Sequence, residues 1–155
     1  YSSDNGYFMG EHGYWDKRIA YESSIKIPMP IRYPEKIKAG TVINENALNI
    51  DLAPTILELA GVETPKYMQG ESMVSLFEDN SEKTDWRESF LFEYYVDDAY
   101  PYAGPDMLAV RTNKYKLVDA FLKDDLDELY DLENDPGEMH NLIDDSDYDL
   151  IEKEE

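Results

Sequence analysis

The apolar positions predict one clear helix in the first half of the chain. The apolar residues between Asp51 and Ala60 recur with helical spacing and share one face: Leu52, Ile56 and Leu59. We expect Asp51 to act as the N-cap and Gly61 to end the helix. The apolar piece Met73 to Phe77 is a further short element, reached through a turn.

The second half shows short runs of strand-forming residues separated by Pro, Gly, Asn and Asp, which is typical of a small antiparallel sheet. Asn113 and Lys114 predict a tight hairpin turn between two of the strands. We expect a frayed acidic helix from about Tyr148. The four predicted strands are Phe90 to Tyr95, Leu108 to Arg111, Tyr115 to Val118 and Glu128 to Leu132.

Extended segments are also predicted near the start of the chain. Tyr1 to Ser3 is interpreted as the end of a strand, with Asp4 in the loop that follows. Ile27 to Tyr33 contains two prolines and is predicted as an edge strand or as a strand that begins at Pro30. Thr41 to Ile43 is predicted as another short strand. We place a soft boundary near Trp86, where the composition changes.

The composition excludes several classes of function. The chain carries 35 acidic and 14 basic residues, a net charge of −21, which argues against a nucleic-acid partner and against docking on anionic membranes. No apolar run reaches membrane-spanning length. The chain has no cysteine, so disulfides, thiolate zinc sites and a cysteine nucleophile are excluded within these residues.

The negative charge is concentrated at the end of the chain. Residues 1–38 contain five acids against six bases, whereas residues 124–155 contain fifteen acids against one lysine. The acidic tail is interpreted as a solvated surface. A front end close to neutral would help an anionic substrate to approach.

The candidate chemistry lies at the front end. Asp4 and Asn5 place two hard oxygen donors at a glycine turn, which suits calcium or magnesium, and Lys17 follows thirteen positions after Asp4. An ammonium beside a divalent cation makes sense if an anion lies between them. An ordinary Asp-Asn-Gly turn without metal is the alternative. His12 is either a substrate hydrogen-bond donor or a structural histidine between glycines.

Other charged residues of this segment have two interpretations as well. Glu11 and Asp16 are either a general acid and base or solvated loop charges. Tyr21, Glu22 and Lys26 are interpreted as scaffold.

Four ordered blocks cover nearly the whole chain: Ser3–Gly6 with Gly10–Gly13, Lys17, Tyr21–Glu22 and Ile31–Pro34; Ile50–Gly61 with Met68–Ser72; Ala109–Leu117; and Glu128–Glu138 with Asn141–Leu142. In these blocks the chain resembles the latter part of type I sulfatases of the alkaline-phosphatase-like superfamily.

The resemblance implies a sulfate-ester hydrolase with one calcium ion. It implies that Asp4 and Asn5 are metal ligands and that Lys17 contacts the sulfate. The family nucleophile is a hydrated formylglycine, made from the first residue of a Cys/Ser-x-Pro-x-Arg motif. It attacks sulfur and the alcohol leaves; its second hydroxyl then expels sulfate.

The chain departs from the family pattern because it lacks this motif. We therefore expect the nucleophile and the other acidic ligands in a missing N-terminal half, and no turnover by this fragment alone. Residues 1–87 are then expected to be the C-terminal part of the main α/β sandwich, and residues 88–155 a small antiparallel-sheet subdomain with a C-terminal helix. A periplasmic or secreted location fits the whole protein.

Two other functions stay open. Phosphoric ester or phosphonate hydrolysis within the same superfamily would use the same tetrahedral clamp. A non-catalytic acidic module, binding calcium or a basic partner through Asp144 to Asp149, is the other alternative.

The substrate is expected to be a sulfated small molecule or a sulfated carbohydrate. Tyr100 and Tyr102 lie in a tyrosine-rich segment and are candidate substrate-binding residues, because their rings could stack on a sugar. They could equally pack beneath the C-terminal sheet.

Overall fold

The computed structural model describes residues 1–77, 85–95, 106–120 and 127–148. Contacts between Cα atoms divide the chain into two compact units. One unit comprises Tyr1 and Met29–Glu88, and the other comprises Ser2–Pro28 and Ser89–Glu155. The first 28 residues therefore belong, apart from Tyr1, with the C-terminal part of the chain. The predicted domain boundary at residue 87 stays a prediction.

The second unit is built on a four-stranded antiparallel sheet, as the sequence predicts. Its strands neighbour one another in chain order, and each neighbouring pair is antiparallel. Asn113 and Lys114 form the predicted turn between the second and third strands. The strands are β3 (Ser89–Tyr94), β4 (Met107–Thr112), β5 (Tyr115–Asp119) and β6 (Glu128–Asp131).

Residues 2–28 add a small hairpin and a single turn of helix to this unit. The hairpin pairs β1 (Phe8–Met9) with β2 (Trp15–Asp16), and the connection contains a 3-10 turn at Glu11–Gly13. Helix α1 (Glu22–Ile25) follows. Every site residue predicted from the front of the chain lies within residues 2–28: His12 in the 3-10 turn, and Asp4, Asn5 and Lys17 in the loops beside these elements.

The core of the second unit lies between the sheet and this front segment. Alternate residues of β4 and β5 point to one side, where Met107, Ala109 and Val118 bury Ala20. A neighbouring cluster packs Phe8 and Tyr21 of the front segment against Tyr130 of β6, by way of the Tyr21 ring. Burying these apolar surfaces fastens the front segment to the sheet.

The first unit is organised around helix α2 (Leu52–Leu59), which a 3-10 turn at Asn49–Asp51 precedes. A second 3-10 helix, Met73–Phe77, packs against α2 and supplies the buried core of the unit. Gly61 follows the helix with φ 69°, so the predicted helix and its glycine stop are confirmed.

Asp51 takes the predicted N-cap position before α2, but its side chain makes no capping hydrogen bond to the helix. Its backbone is already helical and its carboxylate caps nothing in α2. The fully buried carboxylate instead accepts hydrogen bonds from the amides of Leu48 and Glu71 and pairs with Arg87. It acts as a polar centre that joins three segments of the unit.

Three predicted extended segments contain no strand: residues 1–3, 27–33 and 41–43. Pro28 and Pro30 cannot donate to a ladder, and a strand also requires a neighbour, which an apolar run does not provide. At the other end, a 3-10 turn covers Ser146–Tyr148, and the rest of the predicted C-terminal helix lies outside the described residues. None of the described helices has the length and apolarity that crossing a membrane requires.

Candidate active site

The turn Asp4-Asn5-Gly6 lies directly against α1, and Gly6 makes the contact. The Gly6 amide donates a 2.7 Å hydrogen bond to the Ser24 carbonyl oxygen. A Cβ atom at Gly6 would collide with the carbonyl oxygen of Ser23. The residue after the two candidate ligands must therefore be glycine for the turn to approach the helix so closely.

Lys17 meets this turn at the end of the β1–β2 hairpin. Its Nζ lies 2.9 Å from Oδ1 of Asn5 and 3.6 Å from Oδ2 of Asp4. Pairing of the short strands returns the chain toward the turn. The fold thus brings Lys17 next to Asp4 and Asn5, the candidate ligands that precede it by thirteen and twelve positions.

The electrostatics of the cluster favour a charged Asp4. A hydrogen bond from its own backbone amide and the Lys17 ammonium lower the pKa of the Asp4 carboxyl. The Asp4 side chain is 82% exposed and that of Lys17 is 43% exposed. Both charged groups therefore lie at a surface that an anion or a cation can reach.

The donor chemistry of the turn fits a hard divalent cation. Asp4 offers a carboxylate and Asn5 an amide oxygen, the ligand types of calcium and magnesium. No group of three or more acidic, histidine or cysteine side chains forms a metal site within the described residues. The two residues fit part of a coordination shell, which needs six to eight oxygens for calcium.

His12 lies within the hairpin connection, close to Tyr21. Its imidazole stacks on the Tyr21 phenol, with ring centroids 4.0 Å apart and an angle of 11° between the planes. Its backbone has φ 51°, and Gly10 and Gly13 on either side also have positive φ. The stack fixes one face of the ring, and the half-buried imidazole keeps access to solvent.

Glu11 and Asp16 serve the local structure of the hairpin. Hydrogen bonds from its own backbone amide and from the Met9 amide lower the pKa of the Glu11 carboxyl. Asp16 pairs with Arg18 at 3.1 Å. These contacts favour the interpretation of both residues as loop charges. Tyr100 and Tyr102 lie outside the described residues.

Sequence reasoning missed a group of charged residues around the start of α1. Lys116 of β5 is completely buried and pairs with Glu138, which is also buried. Lys116 was detectable because it shares the inward face of β5 with Val118, so a lysine occupies a core position of an alternating strand. Glu138 gave no comparable signal.

A family model matches most of the chain. The family is described as N-sulphoglucosamine sulphohydrolase, C-terminal, and the match covers residues 10–154.

Among curated proteins, the chain is 40% identical over 158 residues to an N-acetylglucosamine-6-O-sulfatase of Bacteroides thetaiotaomicron. The match covers 99% of the chain and 28% of that relative. The chain therefore spans less than a third of this relative.

Solved structures share the fold. A protein solved in complex with its substrate, D-glucosamine-2-N,6-O-disulfate, superposes with a TM-score of 0.91 at 38% identity, over 99% of this chain and 31% of the other. The phosphonate monoester hydrolase of Agrobacterium radiobacter superposes with a TM-score of 0.82 at 25% identity, over 99% of this chain and 32% of the other.

Proposed function

Because the chain belongs to the family of N-sulphoglucosamine sulphohydrolase C-terminal regions, we propose that the whole protein hydrolyses sulfate esters. The observation that supports this most directly is the Lys17 ammonium beside the oxygens of Asp4 and Asn5. The cluster provides one positive group for an anion and two oxygen donors for a metal.

In this proposal Lys17 binds a non-bridging oxygen of the sulfate group. Negative charge builds up on these oxygens and on the leaving oxygen as the sulfur–oxygen bond breaks. A fixed ammonium stabilises this charge more strongly in the transition state than in the ground state. Lys17 is anchored by Asn5 before substrate arrives, which limits the reorganisation that binding requires.

Asp4 and Asn5 would hold calcium as two members of its shell, with further ligands supplied outside the described residues. When bound, calcium supplies positive charge beside the sulfate oxygens and the nucleophile. We place the formylglycine nucleophile in a part of the whole protein that this chain does not contain. The fragment alone would bind neither group completely and would be inactive.

His12 is proposed to donate a hydrogen bond to the substrate from the edge of its ring. The stack on Tyr21 orients the imidazole and leaves its edge available. The two flanking glycines allow the left-handed backbone that presents the ring. His12 would then lower the barrier by orienting or protonating a substrate oxygen.

A sulfated glucosamine is the proposed substrate class. Two comparisons support it: a curated relative carries an N-acetylglucosamine-6-O-sulfatase name, and a similar structure was solved with a disulfated glucosamine. Tyr100 and Tyr102 remain candidates for stacking on the sugar ring. Replacing both by alanine should then change the preference among sulfated sugars more than the melting temperature.

Phosphonate or phosphoric ester hydrolysis is the second candidate. It is favoured by the fold shared with a phosphonate monoester hydrolase. Lys17 and the Asp4–Asn5 turn would hold a tetrahedral phosphorus group by the same contacts. The nucleophile in the rest of the protein would distinguish the two chemistries.

The test is sulfate release from glucosamine 6-sulfate by the intact protein. We expect Lys17→Ala to lower kcat/KM by about 100-fold, the size of effect seen when one transition-state donor is removed. Lys26→Ala, an exposed lysine after α1, is the matched control and should retain activity. Equal activity of the Lys17→Ala and Lys26→Ala proteins would contradict the assigned role of Lys17.

Calcium binding tests the metal assignment separately. We expect Asp4→Ala to weaken calcium binding by the intact protein, measured by titration calorimetry. Binding that survives Asp4→Ala and weakens steeply with salt would instead favour the acidic segment Asp144 to Asp149 as the calcium-binding region.

A further inference from the structure

A cluster of charged side chains surrounds the first residue of α1. Glu22, at the start of the helix, lies 3.4 Å from Arg111 and 3.8 Å from Lys116. Lys116 also pairs with Glu138, and both of these side chains are almost closed to solvent. We call the four residues Glu22, Arg111, Lys116 and Glu138 the α1 clamp.

The α1 clamp also binds the backbone of the front segment. The Glu22 amide donates a 2.7 Å hydrogen bond to Oε2 of Glu138. The Lys116 ammonium donates to the Ala20 carbonyl oxygen at 2.5 Å. Residues 20–22 are thus fastened at two backbone atoms by side chains that come from the sheet and from the turn after β6.

Separating the two buried charges would be unfavourable. Burial lowers the pKa of Lys116 and raises the pKa of Glu138, so each group needs the other to stay charged. A buried pair that loses one partner leaves an uncompensated charge. The α1 clamp therefore keeps one arrangement, and α1 is held in it.

A short path leads from the α1 clamp to the site turn. Two residues after Glu22, the Ser24 carbonyl oxygen accepts the hydrogen bond from the Gly6 amide. The Ser23 carbonyl oxygen lies where a side chain at Gly6 would be. Asn5 and Asp4 directly precede Gly6. A shift of α1 would accordingly move the turn that carries the two oxygen donors.

We propose that Glu138 and Lys116 are positioning residues for the active site. By fixing the start of α1 they hold the Asp4–Asn5 turn in the orientation that calcium and the sulfate ester require, an inference that rests on the proposed function. Groups that orient a metal ligand change metal affinity or activity by about 10- to 100-fold when they are replaced.

Two double variants of the intact protein isolate the hydrogen bond to α1. Glu138→Gln/Lys116→Met removes both charges but keeps an oxygen that can accept from the Glu22 amide. Glu138→Leu/Lys116→Met removes the charges and the acceptor. Replacement of a buried ion pair by uncharged residues of similar volume is often neutral for stability. Both variants lose the Lys116 contact with Ala20, so that loss is matched.

Position 138 has φ 54°, and neither glutamine nor leucine is β-branched, so the backbone strain is similar in the two variants. We expect the leucine-containing double variant to bind calcium about tenfold more weakly than the glutamine-containing one and to have a correspondingly lower kcat/KM. Amide hydrogen exchange in peptides that cover Gly6 should be faster, while the two melting temperatures stay within a few degrees.

A second route removes the donor. Glu22→Pro deletes the amide hydrogen at the first position of α1, where proline is tolerated, and Tyr21 already has the extended backbone that precedes proline, with ψ 150°. Glu22→Ala is the control for loss of the side chain. Glu22→Pro should weaken calcium binding and speed exchange at Gly6 more than Glu22→Ala does.

Equal calcium affinity and equal exchange at Gly6 in the matched variants would overturn the positioning role and leave the α1 clamp as a stabiliser of the sheet. Failure of the proposed function gives a different result: the unaltered protein would neither bind calcium nor release sulfate. The exchange rate at Gly6 would still decide whether the α1 clamp positions the turn.

Discussion

The imidazole of His12 lies flat on the phenol of Tyr21, with ring centroids 4.0 Å apart and planes 11° apart. Tyr21 is itself buried against Phe8 and Tyr130. The histidine of the hairpin is thereby tied to the aromatic cluster beneath the sheet. Its orientation is set by packing, and its nitrogen atoms remain for other partners.

The stack allows the two roles of His12 to be separated by substitution. His12→Phe keeps a flat ring on Tyr21 and removes the nitrogen donors. If His12 donates to the substrate, kcat/KM should fall by about 100-fold, the lower range for general acid–base catalysis, with little change in melting temperature. His12→Ala should lower both quantities. Full activity of His12→Phe would show that only the stack matters.

Tyr21 makes the stability of the protein sensitive to alkaline pH. Burial, with the neighbouring Glu128 carboxylate, raises the pKa of the Tyr21 phenol to about 12, above its ordinary value of 10.0. The folded protein favours the neutral phenol, so its contribution is fully present below pH 10 and is lost as the pH rises toward 12. Urea unfolding between pH 8 and pH 12 should show the advantage over Tyr21→Phe shrinking across this range.

A constant difference between the two proteins across that range would contradict the raised pKa. The comparison with Tyr21→Phe is needed because the chain has thirteen tyrosines, and subtraction removes the contribution of those that Tyr21 does not contact.

Gly6→Ala should displace the site turn. The added methyl group overlaps the Ser23 carbonyl oxygen, and such overpacking destabilises proteins by about 1–3 kcal/mol. A displacement of the turn by about 1 Å is enough for a 100-fold loss of activity. Gly40→Ala is the control, because Gly40 has φ 83° and open space around it, so the change adds backbone strain alone.

Thermal unfolding and kcat/KM should be measured together for both glycine variants. We expect both to lose stability and only Gly6→Ala to lose activity per folded molecule. Unchanged activity of Gly6→Ala would mean that the turn tolerates a shift away from α1.

Arg87→Met should destabilise the first unit strongly. Asp51 is completely buried, and Arg87 approaches it with both terminal nitrogens. Removing the arginine leaves a buried carboxylate without its cation, which destabilises a protein by about 3–5 kcal/mol. Denaturant unfolding of the intact protein measures this. Arg32→Met removes an exposed arginine and should stay within about 0.5 kcal/mol, and an equally small effect of Arg87→Met would contradict the account.

The elements that could be predicted are those with local patterns. Helix α2 has apolar residues at helical spacing and a glycine stop, although Ile56 is 64% exposed, and the strands around Asn113 and Lys114 alternate on either side of a tight turn. Both patterns are complete within a few residues. Asp51 shows what a local pattern cannot predict. Its residue type suits an N-cap, but its carboxylate binds the Glu71 amide and the Arg87 side chain, which lie 20 and 36 positions further along the chain.

The candidate site was found from residue types and spacing, and from the resemblance. The pairing of Lys17 with Asn5 required only a hairpin between them. The packing of residues 2–28 on the C-terminal sheet could not be found in this way, because Ala20 meets Met107 and Val118 over long separations. The alternation of inward and outward residues along β5 can mark Lys116 as an inward residue. It does not identify Glu138 as the partner of Lys116.

The most direct test of the central claim is the ratio of two rates in the intact protein. Hydrolysis of an aryl sulfate and of the aryl phosphonate ester with the same leaving group should be compared as kcat/KM, with Lys17→Ala beside the unaltered protein. The account predicts a clear preference for the sulfate ester and sulfate hydrolysis that is about 100-fold slower in Lys17→Ala. A preference for the phosphonate, or sulfate hydrolysis that does not depend on Lys17, would contradict it.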